Sequence, residues 1–220
     1  MLNGPNFAFY LYAGIHSFLI LLLFSVQKVL LSLGLLASIS FAAQAQSIKY
    51  GVKAGASLTT LTGSDSDGAK NKFGFNGGVL ANFGINDLFS IQPEVLYSMK
   101  GAKVDGTDAH LNLNYIDVPV LVKVATGATG LFFELGPQVG FLASAKAKNN
   151  SVSVDVKDNA KNVDFGYAAG LGFQAASGPM VGLRYNGGFT SIGKNNNGYT
   201  SSDAKNSAFQ LYVGFMFGGK

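Results

Sequence analysis

The sequence contains no cysteine and no tryptophan among its 220 residues, and only 13% of its residues are charged. The absence of cysteine excludes disulfides, thiolate catalysis and thiolate metal sites, although it leaves the cellular compartment open. An average soluble domain carries roughly 25% charged residues. So few charges, with a mean hydropathy of +0.25, are typical of a membrane protein or of a heavily buried chain.

The basic residues do not form runs. The chain has 16 basic and 12 acidic residues, a formal net charge of +4, and its lysines and arginines are scattered singly. Because a nucleic-acid-binding surface needs clustered basic residues, we expect no nucleic-acid partner. After residue 46 no stretch has a helical hydrophobic period, so a helical fold is also disfavoured.

The first 45 residues have the composition of a targeting segment. Residues 7–45 are nearly all apolar apart from Gln27-Lys28, and the part from Lys28 onward consists of one lysine, an apolar run and small residues. This order is typical of a secretory signal, and Ala43-Gln44-Ala45 fits an A-x-A cleavage site. The sequence therefore predicts a signal region over residues 1–45, with cleavage after Ala45.

This signal region is longer than an ordinary one. A translation start near residue 26, with Val26 encoded by a GTG start codon, gives a signal of ordinary length. The alternative is a membrane helix over residues 7–26, since ~20 apolar residues can span a bilayer.

The remaining chain, residues 46–220, is built from alternating segments. In "FSIQPEVLYSMKG", residues 89–101, almost every odd position is apolar and almost every even position is polar. A strand sends alternate side chains to opposite faces, so this pattern predicts a strand with one apolar face. Eight such segments occur, over residues 48–58, 73–83, 89–101, 111–124, 131–145, 163–174, 181–190 and 209–217.

The connections between these segments alternate in length. Three are tight turns, at Ile85–Asp87, Thr126–Gly130 and Ala176–Gly178. The other four are long and polar, at Thr59–Asn71, residues 101–110, Ala147–Asn162 and Gly193–Ser207. An even strand number with short periplasmic turns and longer external loops is typical of outer-membrane barrels. The sequence predicts an all-β fold, an eight-stranded antiparallel up-and-down transmembrane β-barrel.

The composition of the two faces indicates which one contacts lipid. The polar faces are rich in glycine and poor in charge, whereas a water-exposed face would favour lysine and glutamate. Since ~9 to 11 tilted residues cross the apolar layer, the apolar faces are long enough to do so. We therefore place the apolar faces against lipid and the polar faces in the lumen. A soluble lipocalin-like carrier is the alternative fold.

An eight-stranded barrel has an interior that side chains can fill. Pairing across the turn at residues 176–178 places Arg184 opposite Gly170, and pairing across the turn at 126–130 places Lys123 near Glu134. We expect a structural ion network in the lumen, because a buried charge needs a partner. Its predicted members are Glu94, Asp117, Lys123, Glu134 and Arg184.

Two features interrupt the alternation. The apolar residues of the fourth segment change from odd to even positions near Tyr115-Ile116, which predicts a β-bulge. Pro93, Pro119 and Pro137 lie within three neighbouring strands. Because proline lacks the N–H that a ladder uses, we expect local bulges there as well.

Several motifs resemble a known family. "GVKAG", Gln92-Pro93-Glu94, Val118-Pro119 and Gly136-Pro137 are similar to the PorT-like outer-membrane β-barrel proteins, often labelled "porin family". The resemblance covers nearly all of residues 46–220. It implies a location in the outer membrane of a gram-negative bacterium and insertion by the barrel-assembly machinery. It implies no substrate, catalytic residue or cofactor. The chain departs from such barrels at its end, where Phe217 is followed by three more residues.

Three functions are compatible with these features. The first is a structural or surface-interaction role, in which the lumen is plugged and external loops contact an extracellular ligand that the sequence does not identify. The second is a passive porin-like conduit or carrier for a small solute. The third is a rim enzyme using His110 and Asp108, which we disfavour because no nucleophile or orienting group is evident. No metal or cofactor is expected.

Overall fold

The structure is a computed structural model that describes residues 47–150, 152–194 and 203–218. The predicted signal region over residues 1–45, the start near residue 26, cleavage after Ala45 and the alternative helix over residues 7–26 all lie outside the described residues. Among the residues that are described, no helix is both long enough and apolar enough to cross a membrane.

The described residues contain ten strands and two short 3-10 helices, Gly127–Thr129 and Lys157–Asn159. The strands are β1 (Ser47–Thr62), β2 (Ala69–Lys70), β3 (Lys72–Gly84), β4 (Phe89–Val104), β5 (His110–Ala125), β6 (Leu131–Asn149), β7 (Val152–Asp155), β8 (Val163–Gln174), β9 (Pro179–Gly188) and β10 (Lys205–Phe217). Eight are long and correspond to the eight predicted segments. The short strands β2 and β7 lie within two of the long connections.

The eight long strands form a closed barrel. Each pairs antiparallel with its neighbours in the sequence, in the order β1, β3, β4, β5, β6, β8, β9, β10. The sheet closes because β10 pairs with β1 from Tyr50↔Phe217 to Thr62↔Lys205. The predicted eight-stranded antiparallel up-and-down barrel is thus confirmed.

The side chains divide as the alternation predicted. The polar side chains of the alternating rows are buried in the lumen, where Lys53 is 3% and Glu94 1% exposed. Large apolar side chains cover the outer wall: Phe73, Phe75, Val79, Val95, Leu131, Phe133, Leu135, Phe141, Phe165, Leu171, Leu183, Phe209, Leu211, Val213 and Phe217. Such a wall is stable only where hydrocarbon covers it, and a bilayer leaves no water for an open strand edge.

The two ends of the barrel differ. The connections at one end are the short turns at residues 85–88, 126–130 and 175–178. Gly130, at the end of the second turn, has a φ of +77°, a conformation that glycine adopts without strain. We take this end as periplasmic, because short turns mark the periplasmic side of outer-membrane barrels.

The external connections are shorter than predicted. The loop expected over residues 101–110 spans only residues 105–109, because the β4–β5 ladder continues to Lys103↔His110. The expected loop over Ala147–Asn162 likewise begins later, since β6 extends to Asn149. Hydrophobic alternation ends where the wall leaves the apolar layer, but backbone pairing continues beyond it.

The bulges predicted at the three prolines are absent from these strands. Pro93 lacks a ladder partner in β3, Pro119 lacks one in β4 and Pro137 lacks one in β5. Each proline pairs normally with the following strand, and the register is the same on both sides of every gap. The missing N–H therefore opens the ladder locally without inserting a residue.

The phase change predicted within β5 is also wrong. Leu113 and Tyr115 face the lumen and are buried, in phase with Asp117 on the same strand. A register shift does lie beside Tyr115, but the additional residue is Ala143 in β6. β5 keeps its alternation because its outermost apolar side chains pack inside the barrel rather than against lipid.

Candidate functional site: the lumen and the external sheet

A cluster of four charged side chains fills the centre of the lumen. Arg184 donates from Nη1 to Glu94 Oε2 at 2.7 Å and from Nη2 to Glu94 Oε1 at 2.9 Å. Its Nε donates to Glu134 Oε1 at 2.7 Å, and Lys53 Nζ lies 3.3 Å from Glu94 Oε2. All four side chains are fully buried. Two cations thus match two carboxylates, with the bidentate geometry that gives strong charge-assisted hydrogen bonds.

Neutral side chains support this central cluster. Tyr212 Oη donates to Glu134 Oε1 at 3.1 Å, and Gln92 Nε2 donates to Glu94 Oε1 at 2.9 Å. The ammonium group of Lys53 lies 3.6 Å from the centroid of the Tyr212 ring, within the range of a cation–π contact. Each carboxylate therefore has a partner besides Arg184.

Glycines make room for these large side chains. A Cβ at Gly182 would lie 2.5 Å from the Tyr212 ring, and a Cβ at Gly170 would lie 2.8 Å from Glu134 Oε1. Because real Cβ atoms do not approach so closely, both positions need glycine while Tyr212 and Glu134 keep their places. The inward glycines of the sequence thus allow the lumen to be filled.

A second charged cluster lies nearer the external end. Lys100 Nζ is 2.8 Å from Asp117 Oδ1 and 3.8 Å from Asp164 Oδ2. Asp164 also accepts hydrogen bonds at 2.8 Å from Asn206 Nδ2 and at 2.8 Å from Thr190 Oγ1. One cation therefore faces two carboxylates, and amide and hydroxyl donors satisfy the second of them.

Apolar clusters lie in the lumen on the external and the periplasmic side of the charges. The external cluster consists of Leu113, Tyr115, Leu142, Ala145 and Ala160, with Leu111, Val156 and Ile192 packed against it. Val156, Ala160 and Ile192 come from the external connections, so these connections cover the barrel. The inner cluster consists of Leu80, Phe132, Met180, Tyr212 and Met216.

The periplasmic end is open by comparison. Two adjoining cavities of about 480 and 360 Å³ share Lys49 and Gln174 in their walls. Lys123 lines the larger cavity, and its Nζ donates to Gln174 Oε1 at 2.6 Å. The same ammonium group lies 3.8 Å from the centroid of the Phe132 ring. We call these two cavities the periplasmic mouth.

The structure brings together three of the five residues predicted to form one ion network. Glu94, Glu134 and Arg184 meet in the central cluster, and Arg184 lies opposite Gly170 as the turn predicted. Asp117 belongs instead to the external cluster with Lys100. Lys123 is opposite Glu134 in the ladder, but its Nζ bonds Gln174 at the mouth.

Sequence reasoning missed Lys53, Lys100 and Asp164 as members of the charged clusters. All three occupy inward positions of the alternating rows, so the alternation of polar and apolar residues was enough to identify them as lumen residues. Their partners were not predictable, because Lys53 on β1 reaches Glu94 on β4 across the intervening β3.

Strands β4, β5 and β6 continue beyond the bilayer and form an external sheet. We define it as β2, residues 101–104, residues 110–114, residues 144–149 and β7. β6 has 19 residues, whereas ~9 to 11 suffice to cross the apolar layer. The sheet is five strands wide, because β2 pairs with β4 and β7 pairs with β6.

One face of the external sheet carries a row of basic side chains. The ladder aligns Lys70↔Lys103, Lys103↔His110 and His110↔Lys148 on four consecutive strands. Directly opposed residues share a face, so these four side chains form one line, which we call the basic row. Lys146 lies two residues from Lys148 and therefore points to the same side.

The basic row has few counter-charges. Lys70 Nζ lies 3.4 Å from Asp105 Oδ2, where both side chains are more than half exposed. The ion pairs among the described residues include none made by Lys103, Lys146 or Lys148. Like charges directly opposite each other in a ladder are destabilising. The aligned lysines of the basic row therefore repel one another, whereas the charges of the central cluster attract one another.

The imidazole ring of His110 contacts a backbone oxygen rather than a side chain. Its Nδ1 lies 3.1 Å from the backbone oxygen of Asp108, so the contact does not involve the Asp108 carboxylate. The described residues contain no group of three side chains arranged to hold a metal ion. The disfavoured rim enzyme would use His110 with Asp108, and the contact seen here is to the Asp108 backbone rather than to its carboxylate.

Solved structures of small outer-membrane barrels are similar to this chain. Neisserial surface protein A is 19% identical, with 76% of this chain and 97% of that chain covered and a TM-score of 0.52. Ail of Yersinia pestis, in complex with the heparin analogue sucrose octasulfate, is 18% identical, with coverage of 77% and 99% and a TM-score of 0.47. At these identities the likeness concerns the fold alone.

The family comparison is more direct. A search of curated proteins returns no match. The family described as outer membrane protein beta-barrel domain matches residues 43–194, which is more than half of the chain. This match agrees with the closed barrel and its apolar outer wall, and places the protein in the outer membrane. The chain therefore belongs to the outer membrane protein beta-barrel domain family.

Proposed function

We propose that this protein is a sealed barrel that displays its external sheet as a binding surface for an anionic polysaccharide outside the cell. The basic row is the observation that carries this proposal. Lys103, His110 and Lys148 are aligned on a rigid ladder without carboxylates to neutralise them. A ligand with regularly spaced negative charges removes the repulsion between them.

The dimensions of the basic row suit an extended ligand. Neighbouring strands lie ≈ 4.8 Å apart, so the three steps from Lys70 to Lys148 span ~14 Å. That length matches a few sugar units rather than a single small anion. Because the sheet is held by backbone pairing on five strands, the row is ordered before the ligand arrives, which lowers the entropic cost of binding.

Transport through the lumen is not part of this proposal. A solute would have to pass the external apolar cluster and the paired charges of Arg184, Glu94 and Glu134. Separating one such buried charge from its partners costs about 3–5 kcal/mol. We therefore expect purified protein in a planar lipid bilayer to show no conductance. Stable single-channel steps would favour the passive conduit instead.

The proposal includes no catalysis. His110 lies in the middle of the basic row and needs no carboxylate partner there. A rim enzyme would need a base oriented by a third group and facing a nucleophile.

We also assign the chain to the PorT-like group within its family, on the motifs described above. Export would remove residues 1–45, and the barrel-assembly machinery would insert the remaining chain. N-terminal sequencing of the outer-membrane form tests the first step, with Gln46 as the expected first residue. A mature chain that retains residues 7–26 contradicts it.

The ligand class is tested with dextran sulfate and neutral dextran, which share a backbone and differ in charge. The processed protein in uncharged detergent should bind dextran sulfate with an affinity that falls as salt rises, and should not bind dextran. Lys103→Gln with Lys148→Gln should weaken binding at least about tenfold, because each charged contact contributes ~1.5–3 kcal/mol.

The matched control changes two lysines of the external connections that lie outside the basic row. Lys161→Gln with Lys194→Gln removes the same charge and should leave the affinity within about twofold, since only screened long-range attraction is lost. If both double variants lose affinity equally, binding reflects net charge alone and the basic row is not the site.

A further inference from the structure

The periplasmic mouth combines two positive charges with no carboxylate in contact. Lys123 is 6% exposed, and Lys49 shares the wall of the same cavity. Among the described residues, neither ammonium group has a carboxylate oxygen within ion-pair distance. Asp87 lines the rim of the cavity, but it is exposed and forms no ion pair with either lysine. The mouth therefore carries unbalanced positive charge.

The carboxylates deeper in the lumen do not remove this imbalance. Glu94 and Glu134 attract Lys123, whereas Arg184 and Lys49 repel it. Both carboxylates are already bonded to Arg184, and Glu94 is also bonded to Lys53. The central cluster is thus neutral as a unit, so Lys123 remains a largely buried cation whose nearest polar partner is the neutral Gln174. Burying such a charge is costly unless it is paired.

We propose that the periplasmic mouth is a binding site for a small oxyanion of the phosphate class, held by the ammonium groups of Lys49 and Lys123. Gln174 bonds Lys123 through its side-chain oxygen, which fixes the direction of the ammonium group. The cavity of about 480 Å³ is wide enough for a phosphate group and its hydration. An oxyanion there is reached from the periplasm and supplies the counter-charge that the chain does not.

Two sources carry this chemistry at the periplasmic side. One is free inorganic phosphate in the periplasm, and the other is the phosphate of a phospholipid headgroup from the inner leaflet. Both meet the same two lysines, but only the lipid remains attached when the protein is extracted in detergent. The external sheet has no part in this site, so the proposal stands or falls independently of polysaccharide binding.

The test begins with processed protein, purified in uncharged detergent and freed of lipid, titrated calorimetrically with inorganic phosphate. We expect one saturable site. Lys49→Met and Lys123→Met should each weaken it at least about tenfold, because each removes a charged hydrogen-bond donor. Lys161→Met, which removes a lysine of the external connections outside the basic row, should leave the affinity unchanged. Lys49 lies at the barrel rim, so its variant provides a result even if Lys123→Met fails to fold.

Native mass spectrometry of protein that has not been delipidated separates the two sources. A bound phospholipid that is present in the wild type, absent in Lys49→Met and displaced by added phosphate identifies the headgroup as the occupant. Phosphate binding without retained lipid identifies the free anion. The proposal is overturned if the wild type binds neither, or if both lysine variants bind as the wild type does.

Discussion

Arg184 in the lumen and Lys103 in the external sheet both carry a positive charge on a barrel strand, but their surroundings differ. Arg184 is fully buried and makes three charge-assisted hydrogen bonds to two carboxylates. Lys103 is exposed and lies between Lys70 and His110 with no carboxylate in contact. The central cluster of the lumen arranges its charges in opposite pairs, whereas the basic row of the external sheet aligns like charges.

This difference distinguishes charges that hold the fold from charges that are free to bind a ligand. A buried ion is tolerated only when partners replace its hydration, so the central cluster contributes to stability only while it is complete. Exposed lysines remain hydrated, so aligning them lowers the stability of the fold only slightly. A row of such lysines can therefore be kept for binding a ligand. Removing charge should therefore damage the lumen and spare the external sheet.

The largest expected effect is at the centre of the lumen. Arg184→Met removes the main cation of the cluster and leaves Glu134 with Tyr212 as its remaining hydrogen-bond donor. We expect a loss of about 3–5 kcal/mol in the free energy of unfolding, because a buried carboxylate is left without its counter-charge. Urea unfolding in detergent, followed by the mobility shift between folded and unfolded protein on gels, measures it.

Arg184→Met with Glu134→Gln is the matched control. It removes one charge of each sign and leaves the pair of Lys53 with Glu94, and glutamine keeps an acceptor for Tyr212. Most of the lost stability should return in this double variant. If the two substitutions instead destabilise additively, the central cluster is not a coupled unit, and the contrast with the external sheet weakens.

The barrel itself was predictable from the sequence because one face of each strand meets lipid. Hydrocarbon requires apolar side chains at every second position, and this requirement left a period-2 pattern in all eight strands. The inward direction of Arg184 and Glu94 followed from the same pattern. The contact between Arg184 and Glu94 could be predicted only in part, because it depends on the tilt of the strands as well as on which side chains point inward.

The external sheet was not predictable from the same signal. The outward residues of the three strands are mostly polar, apart from Met99, beyond Tyr97 in β4, Ile116 in β5 and Phe141 in β6, so the alternation that marked the strands fades. Backbone hydrogen bonds continue the ladder there, although the side chains no longer alternate in a way that marks a strand in the sequence. For the same reason residues 101–110 resembled a long loop, and the alignment of Lys103, His110 and Lys148 became visible only with the register.

The external sheet should respond to charge removal in the opposite direction. Lys103→Gln with Lys148→Gln relieves repulsion between Lys103 and Lys70, which oppose each other in the ladder, so the free energy of unfolding should rise slightly, by less than about 1 kcal/mol. The same urea assay measures it, and Lys161→Gln with Lys194→Gln, outside the row, should change stability less. A loss comparable to that of Arg184→Met would make the basic row structural and remove the contrast.

The smallest effect concerns an exposed ion pair beside the external end of β10. Lys205 Nζ lies 3.1 Å from Asp203 Oδ1, and its hydrogen bond and charge lower the pKa of the Asp203 carboxyl below its ordinary value. A depressed carboxyl pKa stabilises the fold above the pKa of the unfolded chain, and this contribution is lost as the pH falls through the folded pKa. Because both groups are solvated, the effect should appear in the titration of Asp203 rather than in stability.

Lys205→Met should raise the pKa of Asp203 in a carbon-detected NMR titration, whereas Lys70→Met, which removes a lysine paired with Asp105, should not. An unchanged pKa in Lys205→Met would show that external ion pairs are too screened to matter even locally, and would leave the lumen as the part of the molecule where pairing has consequences.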